Sequence, residues 1–154
     1  METLIVLLGT FTIALLVIRL ITKKTAISQA GRIAMAAMLV LTAIGHFLFT
    51  KGMAMMISFL PFAVTIVYLT GIIEFTAAAG LLIPKTRLLT GRLLILFFIV
   101  LLPANIYAAY HNINLESANY SGEGMSFLWF RIPLQLLFIA WVYFFSIKNQ
   151  SKTV

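Results

Sequence analysis

Glu74 stands in the middle of an unbroken apolar stretch, Ala63 to Ile83, of a kind that crosses a membrane. A carboxyl group at bilayer depth is expensive, and intramembrane ionisable residues mark sites by default. At about 1.5 Å per helical residue it lies ~16 Å from Ala63, near mid-membrane. His46, Asn105, Arg131 and Gln135 are the other ionisable and amide side chains inside apolar runs. His46 is about 6 Å from one end of its helix, Arg131 is a similar depth into the last run, and Gln135 follows one turn deeper on the same face. Asn105, just after Pro103, reaches comparable depth, and Thr42, His46 and Thr50 share one helical face. Four helices thus bring polar groups to one layer.

Two chemistries fit this layer. In the first, a neutral Glu74 donates a hydrogen bond to a carbonyl ligand or passes a proton, and His46, reachable from outside, is where that proton comes in. In the second, Arg131 reaches Glu74 with Gln135 or Asn105 bridging, and the cluster serves only helix packing. The residues leave both open. At spacings of three and four from Glu74 lie Thr70, Gly71, Ala77 and Ala78, small residues that admit a neighbouring helix and turn the carboxyl toward protein. Met53, Met55 and Met56 beside His46 suggest a soft-metal site, but methionines so close together on a short helix cannot all face one ion; they read as apolar filling and no metal is expected. The chain has no cysteine, so any redox role needs a bound cofactor or a partner protein.

The elements that must position these groups are membrane helices. Of 154 residues, 62% are hydrophobic and 10% charged, against about a quarter charged in soluble proteins. The expected fold is an all-α integral membrane helical bundle, with the lipid bilayer as its solvent. Apolar runs cover Leu4 to Ile18, Ile33 to Thr50, Ala63 to Ile83, Leu93 to Tyr110 and Phe127 to Ser146. Met53 to Phe62 is too short to cross and reads as interfacial. Pro84 ends the third run; Pro103 and Pro133 lie inside the fourth and fifth, freeing the carbonyls of Ile99 and Trp129. The aromatics Phe127, Trp129, Phe130, Trp141 and Tyr143, with Tyr107 and Tyr110, read as interface belts and lipid-facing packing.

The net charge of +7 is scattered at helix ends, which serves topology and excludes a nucleic-acid stripe. Arg19, Lys23, Lys24 and Arg32, then Lys85, Arg87 and Arg92, then Lys148 and Lys152 belong together on the cytoplasmic side; Glu116 and Glu123 belong outside. Five crossings with the N-terminus outside and the C-terminus cytoplasmic satisfy every segment. The basic residues follow the first run instead of preceding it, so it reads as a retained anchor and not a cleaved signal. The triplet Asn119-Tyr120-Ser121 matches a glycosylation sequon, which carries meaning only in a eukaryotic secretory host.

Ile44-Gly45-His46-Phe47, Gly71-Ile72-Ile73-Glu74-Phe75 running on to Gly80-Leu81-Leu82-Ile83-Pro84, Pro103-Ala104-Asn105-Ile106-Tyr107 and Arg131-Ile132-Pro133-Leu134-Gln135 together resemble the DoxX family of membrane proteins over residues 31–147. The resemblance implies a four-helix core at 31–147, an additional N-terminal helix with its basic loop at 1–30, and a basic cytoplasmic tail at 148–154. It also implies that His46, Glu74, Asn105, Arg131 and Gln135 are shared polar positions, with no catalytic role attached. Some members are linked to quinone-dependent sulfur oxidation or to complexes handling oxidative stress.

The expected function is a small multi-pass subunit or accessory of a membrane redox system that binds an amphipathic, quinone-like ligand in the outer half of the bundle. Its partners would be membrane or extracytoplasmic redox proteins, or further copies of itself. A non-catalytic scaffold is the alternative, and a proton-coupled transporter using Glu74 and His46 a third; five helices without an inverted repeat are few for alternating access.

Overall fold

A computed structural model describes residues 2–23 and 26–148. Lys24 and Lys152, two of the basic residues expected on the cytoplasmic side, lie outside the described residues, as does the tail beyond Lys148. The elements are α1 (Glu2–Thr22), α2 (Ile27–Leu48), α3 (Thr50–Met56), α4 (Ala63–Leu82), α5 (Arg87–Tyr110) and α6 (Met125–Val142), which passes into a π-helical turn, Tyr143–Ile147. Among the described residues no strand forms beyond one isolated bridge, Asn114 to Asn119. Five helices, α1, α2, α4, α5 and α6 with its π-helical turn, are long and apolar enough to cross a membrane. In lipid only a helix or a closed barrel satisfies every backbone N–H and C=O, so apolar runs of this length become helices almost regardless of propensity.

Helix ends differ from the apolar runs in an instructive way. α2 starts at Ile27 and α5 at Arg87, each about six residues before its run, because Arg32, Arg87 and Arg92 carry long aliphatic stems that extend the helix while the charge stays at its rim. α4 stops at Leu82: Pro84 biases Ile83 away from the helix, and Ile83 is extended at φ −82, ψ 122. Thr86 Oγ1 then donates to the Gly80 carbonyl at 3.0 Å and closes the turn into α5. Pro103 and Pro133 sit inside continuous helices.

α2 is the centre of the bundle. Its broadest interface is with α4, the next with α1, while α5 packs chiefly on α6. The core holds Met35, Leu39, Leu81, Phe98, Phe138 and Val142, to which α1 contributes the fully buried Leu7. Most of α1 otherwise faces outward. Its lower half is anchored by Phe11, whose ring meets Trp141 edge-on at 5.1 Å and Phe145 at 5.7 Å.

Trp141 departs from the expectation of a lipid-facing belt: its Nε1 donates to the Gly31 carbonyl at 2.9 Å, so it ties α6 to α2. Tyr107 departs likewise, with its hydroxyl 3.1 Å from Ser58 Oγ and its ring stacked on His111 at 4.0 Å. Trp129 and Tyr110 are broadly exposed, as belt residues are.

Candidate functional site

α2 and α4 approach closely because Gly71 faces α2. A β-carbon there would lie 2.9 Å from His46 Cβ and 3.5 Å from the Ala43 carbonyl, a separation that real side chains do not tolerate. This contact delivers His46 to Glu74, one turn further along α4. His46 Nε2 stands 3.5 Å from Glu74 Oε1, and Glu74 is only 4% exposed. On the other ring edge, Nδ1 lies 3.1 Å from the Val67 carbonyl and 3.1 Å from Thr70 Oγ1, while Thr70 donates to the same carbonyl at 2.8 Å.

The Val67 carbonyl can only accept, and the Thr70 hydroxyl hydrogen is already directed at it, so the contacts on this edge favour the tautomer with its hydrogen on Nδ1. That tautomer turns Nε2 toward Glu74 Oε1 across the α2–α4 interface, at a separation longer than a made hydrogen bond. Glu74 Oε2, in contrast, is buried with no hydrogen-bond partner. A buried unsatisfied polar atom costs about 1–3 kcal/mol, so this oxygen is the feature of the layer that packing does not explain.

Arg131 does not supply the missing partner. It is half-buried on α6 with its guanidinium 5.8 Å from the centre of the Phe127 ring, and it senses Glu74 through space without any hydrogen bond or ion pair between them. Of the two arrangements the sequence leaves open, the Arg131–Glu74 bridge is not formed, and the contact of Glu74 is with His46. The cause is helix pairing: α4 is pressed on α2 at Gly71, whereas α6 packs on α5.

The amides form a second, separate cluster. Asn105 Nδ2 donates to Gln135 Oε1 at 3.0 Å, and Gln135 Nε2 donates to the Phe98 carbonyl. Both side chains are buried, and the bonds join α5 to α6 on the inner side of the Pro103 region. The carbonyl that Gln135 captures is one residue before Ile99, the one that Pro103 was expected to free. The layer therefore resolves into a satisfied α5–α6 link and an unsatisfied α2–α4 acid, with Arg131 nearby. No bond among the described residues joins the two clusters.

Sequence reasoning placed Thr70 only as a small residue and did not find the Val67 carbonyl; Thr70, one turn before Glu74, was the available signal. Met56 packs with Ala108 and Ile113, and Met55 lies against the same cluster. Among the described residues, no three His, Cys, Asp or Glu side chains gather where they could hold a metal ion. Outside this layer, an apolar groove of about 210 Å³ lies between α1 and α6, lined by Leu4, Trp129, Phe130, Pro133, Leu134 and Leu137. It borders the stretch of α6 that carries Arg131.

No curated protein and no solved structure matches the chain. Residues 35–146, which take in α2 from its third turn onward, reach into the π-helical turn and leave α1 outside, match the family described as Domain of unknown function (DUF8561), and the chain belongs to that family.

Proposed function

We propose that this protein is a DoxX-like accessory of a membrane redox system, which binds the head of a quinone-like amphipathic ligand in the outer half of its bundle. The observation that carries the reading is the buried, unpartnered Oε2 of Glu74, in a layer where Arg131 makes no hydrogen bond or ion pair among the described residues. Arg131 would donate to a ligand carbonyl, Glu74 Oε2 would accept from a ligand hydroxyl, and the apolar groove beside α6 would take the start of a tail. In this reading His46 and Glu74 would pass a proton to the ligand after an electron that a membrane or extracytoplasmic partner protein supplies.

The orientation in this reading puts the end bearing Arg19, Lys23, Arg32, Lys85, Arg87 and Arg92 in the cytoplasm, with the N-terminus outside, in the cell membrane. The test is extraction with native lipid, wild type beside Glu74→Gln, followed by mass spectrometry of bound small molecules. A quinone at near-equal amount in the wild type, lost in the variant, is expected. Bulk lipid alone in both would sink the reading.

A scaffold is the second reading, and the Asn105–Gln135–Phe98 link favours it, because both of its bonds are made within the protein and join two helices without needing a ligand. On the scaffold reading, Glu74→Gln with Arg131→Met keeps partner binding in the folded protein. Loss of the partner in a folded double variant would count against it.

A further inference from the structure

The far end of the bundle from Glu116 and Glu123 carries two arginines unlike their basic neighbours. Arg19, Lys23, Lys85 and Arg92 are exposed, whereas Arg32 on α2 and Arg87 at the start of α5 are half-buried. The two lie near enough for their charges to repel. Arg32 Nη1 donates to the Phe145 carbonyl of the π-helical turn at 3.1 Å. That turn is also pressed against α5, since a β-carbon on Gly91, one turn after Arg87, would lie 3.1 Å from Ser146 Cβ. The turn therefore packs against both the helix that carries Arg32 and the first turns of the helix that carries Arg87. π-Helical turns are rare and concentrate at functional sites.

Arg87 makes no hydrogen bond among the described residues, and its Nε is buried without a partner. Nor can a carboxylate side chain answer it. The four acidic residues of the chain are Glu2 and Glu74, far along their helices from this end, and Glu116 and Glu123 in the opposite loop. Two neighbouring cations withdrawn from water without a counter-charge are costly, and a planar guanidinium pair is suited to the oxygens of a phosphate, which it can bind bidentately.

We infer that Arg32 and Arg87 form a binding site for a phosphate-bearing anion. The inference does not depend on the ligand proposed for Glu74. The anion is either the headgroup of a phospholipid or a soluble phosphate, and the experiment separates them.

Full-length protein, stripped of lipid in neutral detergent, is titrated with phosphatidylglycerol or with an uncharged, phosphate-free galactolipid, and retained lipid is counted by native mass spectrometry. One phosphatidylglycerol per chain is expected to persist, with the galactolipid retained about tenfold less or weaker still. Arg87→Gln should lower phosphatidylglycerol retention about tenfold, while Lys85→Gln, which removes an equal but exposed charge two residues away, should leave it nearly unchanged. If millimolar inorganic phosphate displaces the lipid, the site takes soluble phosphate; if it does not, the site takes a headgroup. Equal small losses in Arg87→Gln and Lys85→Gln would mean diffuse attraction and overturn the inference. So would wild-type protein that holds both lipids alike, a comparison that stands even where Arg87→Gln fails to fold.

Discussion

Replacing Glu74 by methionine separates a packing role from a binding role, because the two predict different signs. Methionine is close to glutamate in length and carries no polar atom. The substitution removes the contact with His46, which at 3.5 Å is longer than the 2.7–3.2 Å usual for such bonds. Hydrogen bonds between membrane helices average about 0.6 kcal/mol and reach at most ~1.7. It also removes Oε2, whose unpartnered burial costs about 1–3 kcal/mol. His46 keeps its Nδ1 contacts with the Val67 carbonyl and Thr70, so the substitution does not leave the ring without a partner.

The two terms oppose each other. On these figures Glu74→Met lies between a loss of about 1 kcal/mol and a gain of about 2 kcal/mol, with the stabilising direction expected for so deeply buried an oxygen. The assay is reversible unfolding in mixed micelles of increasing dodecyl sulfate content, followed by helical circular dichroism. Both proteins must first be freed of ligand, because a ligand present at about a hundred times its Kd would add ~2.7 kcal/mol to the wild type alone. A loss above about 3 kcal/mol in ligand-free protein would refute the reasoning: it is the size expected when one partner of a tight buried pair is removed, and would mean that the carboxylate is structural.

The α5–α6 amide link predicts the opposite pattern. Gln135→Leu should destabilise the bundle by about 1–3 kcal/mol because it leaves the Asn105 amide without its acceptor and removes the second donor to the Phe98 carbonyl, and adding Asn105→Leu should cost less than the sum; strictly additive losses in the same micelle titration would show that the two side chains are not coupled. Gly71→Val should cost about 1–3 kcal/mol and push His46 away from Glu74, so that the ligand retained in native-lipid extracts falls along with stability; a neutral Gly71→Val would mean that α2 and α4 do not touch there. The cysteine-free chain allows a direct orientation test: single cysteines at Lys85 and Glu116 should react with a membrane-impermeant maleimide from opposite faces, Glu116 from outside intact cells, and labelling of both from one face would exclude five crossings.

The number of the crossing helices was legible because lipid leaves the backbone so few choices, whereas the starts of α2 and α5 fell about six residues before their apolar runs. Glu74 and its small-residue face were legible for a related reason: spacings of three and four are local, and Gly71 and Ala78 lie on the buried side of α4 with the carboxyl. What local spacing does not contain is how a helix is rotated against its neighbours. α4 is apolar all round, with Ile72, Ile73 and Phe75 as hydrophobic as anything in the core yet facing outward. In a soluble protein such residues would be drawn inward and would set the rotation; in lipid they gain nothing by it, so closeness of packing sets it instead. That is why Gly71, the residue with least to bury, decides that His46 and not the longer Arg131 meets Glu74. The same logic applies to Gln135. It could be read as a bridge between Arg131 and Glu74, but that it meets Asn105 and the Phe98 carbonyl instead is decided by how α6 is turned against α5, which local spacing does not contain. The chemically informative part of this bundle is thus written in its smallest residues, and substitutions there should move the polar layer more than equal changes in the large apolar side chains around it.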